Sequence, residues 1–169
     1  MKRLHAGIAV AVVLCLGAVI AVAQDATTDD APARAPDENL SEDRTVGVGI
    51  QVGSPWGGLI STRYWLSPEM GAEAIIFVDG SGGWFDGLAT VRVLFRVVDA
   101  AVVDFYVSAG ATVPFPWYLG SEVMFAGLGG IEFGFRSAPN LAWNIEFGVA
   151  CSTQGTVQMA IGTGIHFYF

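Results

Sequence analysis

The final stretch, Val157 to Phe169 (VQMAIGTGIHFYF), constrains the fold more than any other part of the chain. At period two, Val157, Met159, Ile161, Thr163, Ile165, Phe167 and Phe169 share one face, and Gln158, Ala160, Gly162, Gly164, His166 and Tyr168 share the other. Such alternation marks a strand with one apolar face. Here the opposite face is small and Gly-rich instead of charged, and the stretch ends on an aromatic residue. An exposed edge strand this apolar would template aggregation in water. A closed barrel in a membrane uses one to complete its wall.

Composition agrees. Charged residues make up only 14% of the chain against 53% apolar, with 22 glycines and no Lys after Lys2, too little charge to cover a soluble globule. A formal charge of −8 argues against nucleic acid as a partner. Of the two cysteines, Cys15 and Cys151, the second stands alone after the leader, so no intrachain disulfide or CxxC metal pair is expected. Cys151 lies on the apolar parity and reads as a small hydrophobe.

Residues 1–23 have Lys2 and Arg3, an uncharged apolar run and an Ala21-Val22-Ala23 exit, the parts of a secretory signal peptide. The competing reading is a short membrane anchor. Residues 24–44 carry seven acids, two Arg and two Pro, with Leu40 the one large apolar residue, and read as an acidic disordered linker.

Residues 45–169 show no helical period. Eight alternating runs are expected at about 45–53, 58–66, 71–79, 87–97, 104–113, 122–136, 141–151 and 157–169, punctuated by SPWG, SPEM, DGSGGWFD, PFPWYLGS, SAPN and STQG. The link VVDAAVVD between runs four and five has no strong breaker. Regular spacing and even number fit an all-β, eight-stranded antiparallel up-and-down barrel.

Alternation leaves open which face is outside, and three features decide it. Glycines 47, 49, 53, 110, 130, 134, 148, 162 and 164 fall on the polar parity, where a narrow lumen demands small residues. Arg63, Glu73, Arg92, Arg96, Glu132, Arg136 and Glu146 share that parity, and an Arg on lipid at mid-depth costs about 2–4 kcal/mol. Third, Tyr64, Phe95, Phe105, Phe133, Phe135, Trp143, Phe167 and Phe169 gather on the apolar parity at the end where the barrel begins and finishes. Trp56, Trp84, Phe85, Phe115, Trp117 and Tyr118 gather at or beyond the other end, giving two aromatic girdles.

On the terminal IHFYF, the RYWLSPEMGAE hairpin and the GIEFGFRSAPNLAWNIEFG hairpin, residues 45–169 resemble the small bacterial outer-membrane barrels of the OmpA/OmpX type, and broadly the porin-like barrel families. The resemblance implies a transmembrane barrel in the outer membrane of a two-membrane bacterium, contacting outer-membrane lipid. It also implies that the assembly machinery reads a C-terminal signal, here Ile165, Phe167 and Phe169. The short connections depart from the long external loops of that family.

Some barrels of this size modify lipids, so catalysis needs weighing. His166 is the one histidine after the leader. Its expected neighbours are Asn144, Glu146 and Gly47, with no Ser at its height, so a lumen pair with Glu146 is expected and no nucleophile–base pair. No metal-spaced cluster and no phosphate-binding Gly motif occurs, so the expectation is a non-enzyme without a cofactor. The set Arg63, Glu73, Arg92, Arg96, Glu132, Arg136, Glu146 and His166 is expected to fill the lumen of a monomer as ion pairs, in a barrel with a structural or porin-like role. Two other readings stand beside it: a narrow pore for small solutes, and a soluble periplasmic lipocalin-like barrel with inverted faces around an apolar ligand.

Overall fold

The wall is a single antiparallel sheet in which each strand pairs with its sequence neighbours and the last pairs with the first. The computed structural model describes residues 44–79, 86–116 and 121–169. The leader, nearly all of the linker, and Trp84, Phe85, Trp117 and Tyr118 therefore lie outside the described residues. The strands are β1 (Val46–Ser54), β2 (Ile60–Trp65), β3 (Met70–Asp79), β4 (Asp86–Asp99), β5 (Val103–Phe115), β6 (Met124–Phe135), β7 (Ala138–Ser152) and β8 (Val157–Tyr168). The expected closed, eight-stranded up-and-down barrel is the fold.

Closure rests on the β1–β8 ladder, which runs from Gly47↔Tyr168 to Ser54↔Ile161. At its end the Phe169 amide donates to the Val46 carbonyl at 2.9 Å, beside a 2.8 Å bond from the Trp65 amide to the Thr45 carbonyl. Start and finish of the barrel thus meet at one rim, the terminal end; the opposite rim is the distal end. Terminal-end turns are tight. In Leu66–Met70, Ser67 Oγ accepts from the Met70 amide at 3.0 Å. The unpunctuated link after β4 turns through Ala100, whose carbonyl accepts from Val103. A bulge after Arg96 leaves Val97 and Val98 both exposed and lets these two strands run longer than their sequence punctuation suggests.

Val91 is 65% exposed, whereas Arg92 beside it is 1% exposed. Period-two burial of this kind recurs around the wall, with most large aliphatic side chains outside and the charged ones inside, among small residues and a few large apolar ones such as Ile75, Leu94 and Leu128. Between the strand ends no charged residue points outward among the described residues. An arrangement with the apolar set lining a cavity and the Arg/Glu set facing solvent is the reverse of what the chain adopts.

Interior glycines are spacers for the side chains opposite them. A Cβ on Gly47 would meet the Tyr168 ring at 2.8 Å, and one on Gly130 would overlap the Tyr106 ring and hydroxyl. The eight terminal-end aromatics are exposed or half-buried on the outer face. The distal girdle needs one correction. Trp56 is 1% exposed and lies inside, because the turn after β1 folds it down into the lumen.

Candidate functional site

The lumen is filled in layers, each fixed by which interior residues the strands bring level. At the distal end Trp56, Ile75, Leu128, Ala150 and Ala160 form an apolar layer. Below it lie the central charges. A second cluster of Trp65, Leu94, Tyr106, Ala142 and Tyr168 follows toward the terminal end.

Glu73, on β3, is the hub. Its Oε2 accepts from Arg63 at 3.0 Å and from the Arg92 Nε and Nη2 groups at 2.9 and 2.6 Å. Its Oε1 accepts from the Ser61 hydroxyl at 2.5 Å. Arg63 reaches onward to Glu132, and Arg92 to Glu146 at 2.7 Å. Glu146 also takes Gln51 Nε2 at 2.8 Å and the Tyr106 hydroxyl at 2.6 Å, and that hydroxyl accepts from Asn144 at 2.8 Å. Tyr168 donates to Glu132 at 3.1 Å. These groups come from strands on all sides of the lumen, so the network ties opposite walls together.

Sequence parity places Arg63, Glu73, Arg92, Arg96, Glu132, Glu146 and His166 correctly in the interior. Arg136 is a correction. The register shift after Gly134 turns the chain early, and Arg136 sits exposed in the β6–β7 turn. Arg44, counted with the linker from sequence, is the buried cation at that rim. It pairs with Glu132 at 3.4 Å and donates to the Pro139 carbonyl at 3.3 Å. Asp104 also belongs inside, 3.5 Å from Arg96 Nε. It opens β5 on the parity of Tyr106 and Ser108, a signal present in the sequence but missed. The buried arginines Arg44, Arg63, Arg92 and Arg96 are thereby matched in number by Glu73, Asp104, Glu132 and Glu146.

Each of those guanidiniums also faces an aromatic ring. Arg44 lies 5.4 Å from Tyr168, Arg63 5.2 Å from Tyr106, Arg92 5.0 Å from Trp56 and Arg96 4.1 Å from Trp65. A desolvated cation over a ring recovers part of its lost hydration. Parity already puts Tyr168 on the interior face; Trp65, two residues from Arg63, and Tyr106, four from Gly110, carry the same signal but were missed.

The expected His166–Glu146 pair is also corrected. His166 Nε2 lies 3.0 Å from Ser61 Oγ and 3.3 Å from Glu73 Oε1. The register explains it: His166 and Ser61 both pair with Gly49, and with no side chain between them they meet across β1. A Ser, a His and a carboxylate together invite comparison with a nucleophilic triad. The wiring differs. In a triad the two imidazole nitrogens face serine and acid separately. Here one nitrogen faces both, the serine proton already points to the acid, and all three side chains are fully buried. The arrangement braces Glu73. Among the described residues no group of His, Cys, Asp and Glu side chains could hold a metal ion.

Ile165 and Phe167 point outward, half-exposed, and the Phe169 ring packs edge-on against Phe167 with centroids 5.2 Å apart. Two shallow grooves, about 580 and 410 Å³, are lined mainly by outer-wall residues, the larger by Ala109, Ala111, Phe125, Gly127, Val149 and Cys151. No protein-family model and no curated protein matches the chain.

Proposed function

We propose that the chain is an outer-membrane β-barrel protein of the OmpA/OmpX type with a structural role, its lumen sealed by the Arg/Glu network. The single observation that carries the reading is the outer wall: between the strand ends its described positions hold no charge and many large apolar side chains. Water would leave such a surface sticky, while hydrocarbon is its natural solvent. Its polar groups are satisfied locally. Trp143 Nε1 donates to Thr163 Oγ1 at 2.8 Å, which in turn donates to the Asn144 carbonyl at 2.8 Å.

On this reading the terminal end is periplasmic, lipid is the main contact of the outer wall, and the barrel works as a monomer. The outward set Ile165, Phe167 and Phe169 is presented to the assembly machinery as the last strand docks. The filled lumen supports a role in wall structure over one in solute passage.

The test is fractionation of a two-membrane bacterium expressing the full precursor. An outer-membrane band whose gel mobility shifts on boiling is expected. A soluble periplasmic band without a shift overturns the proposal. In planar bilayers the purified protein should give no reproducible large openings.

A further inference from the structure

We infer that the distal half of the lumen is a binding slot for a planar aromatic molecule of about indole size, and that Trp56 occupies it in cis. Against the slot the wall is bare backbone. Gly53 and Gly162 pair directly across β1 and β8, and a Cβ on Gly162 would meet Trp56 Cζ2 at 2.5 Å. A Cβ on Gly53 would meet Trp56 Nε1 at 2.9 Å. The Arg92 guanidinium lies over the ring, 5.0 Å from its centroid, and Ile75, Leu128, Ala150 and Ala160 pack in the same cluster. A site bounded by bare backbone, a guanidinium and aliphatic groups selects a flat π-system.

Two features make Trp56 an exchangeable occupant. The first is how it is delivered. Trp65, Tyr106 and Tyr168 enter the lumen from strands, whereas Trp56 rides on a turn. The β1–β2 ladder stops at Gly49↔Ser61. Beyond it the turn is held by reciprocal Gly53–Gly57 bonds, at 2.8 and 3.4 Å, by a 2.6 Å bond from the Gly58 amide to the Trp56 carbonyl, and by a 3.2 Å bond from the Leu59 amide to the Ile76 carbonyl. Gly57 and Gly58 follow Trp56 with φ of +63° and +56°, the left-handed region that favours glycine, so Trp56 is carried on a glycine turn outside the β1–β2 ladder. The second is the indole nitrogen. Trp56 Nε1 is buried and donates to no acceptor among the described residues. An unmatched buried donor weakens the hold of the slot on its own plug. A ligand lacking that donor fills the same volume without the penalty, and Trp56 then turns outward at the distal rim.

Indole's carbocyclic relative naphthalene has no N–H and is the probe. Purified folded barrel is titrated with naphthalene, detergent without protein serving as the partition control, and amide hydrogen exchange is followed. Saturable binding is expected, with faster exchange at Gly57 and Gly58 and none added in the β5–β7 ladders. Trp56→Gly removes the internal competitor and should tighten binding at least about tenfold. Adding Gly162→Ala to that variant places a methyl where the ring would lie and should abolish binding while the heat-shifted band persists. A wild-type barrel that neither binds nor changes exchange overturns the inference even if Trp56→Gly binds, since Trp56 is then a permanent core residue. Undiminished binding by the double variant overturns it too. If the variants fail to fold, the wild-type titration decides alone.

Discussion

Replacing Glu73 by Gln keeps the side-chain shape and removes one charge from the centre of the lumen. Three N–H groups of Arg63 and Arg92 donate to Glu73 Oε2, at 3.0, 2.9 and 2.6 Å. The guanidiniums stay charged, so their bonds to the Gln carbonyl remain charge-assisted and what is lost is the ion-pair attraction to the carboxylate. The four-to-four balance of the buried charges becomes a net positive one. Breaking a buried ion pair costs about 3–5 kcal/mol, and the low end, about 3 kcal/mol, is expected here because Arg63 keeps Glu132 and Arg92 keeps Glu146. Urea titration of the purified barrel, read by the compact unboiled band and by circular dichroism, measures it. The double variant Glu73→Gln/Arg92→Gln restores the balance and should cost less than the sum of its two single variants by about 1–3 kcal/mol. A Glu73→Gln cost under about 1 kcal/mol, or strict additivity in the cycle, refutes the view that the charges act as one unit.

The other predictions test the wall, the spacers and the closing strand. Val91→Arg at mid-strand should cost about 2–4 kcal/mol in a lipid-embedded barrel, whereas a barrel bathed in water would show no loss in the same urea titration. Gly130→Ala pushes the Tyr106 ring off its bonds to Glu146 and Asn144 and should destabilise by about 1–3 kcal/mol by the same measure. Phe169→Ala should lower outer-membrane yield in cells more than it lowers urea stability, because the ring touches Phe167 on the outer wall and no lumen group; unchanged yield removes the assembly-signal role.

Much of this fold is legible because strand parity is a local property. Neighbouring residues alone decide that Arg92 and Val91 face opposite ways, and a period of two carries that decision along each strand. Parity also brings the interior charges to the right side of the wall. Where it fails, the chain departs from period two. The bulge after Gly134 ejects Arg136 into a turn, and the turn at 54–58 carries Trp56 inward although a girdle position looks natural for it.

Height is a different matter, since it depends on how far each strand is staggered against the next, and that stagger is a property of the closed wall. His166 and Glu146 share an interior parity on adjacent strands, which makes them look like partners. The β7–β8 register instead sets Glu146 opposite Gly162 and His166 opposite Ala142. Their side chains therefore lie on separate levels, and His166 finds Ser61 and Glu73 across the bare backbone of Gly49. The glycines that parity reads as mere fillers thus decide which polar groups meet. A side chain at Gly49 would overlap the Ile165 carbonyl and part the two strands that close the barrel. The same residue permits closure and wires the centre of the network, so a change there should break both together.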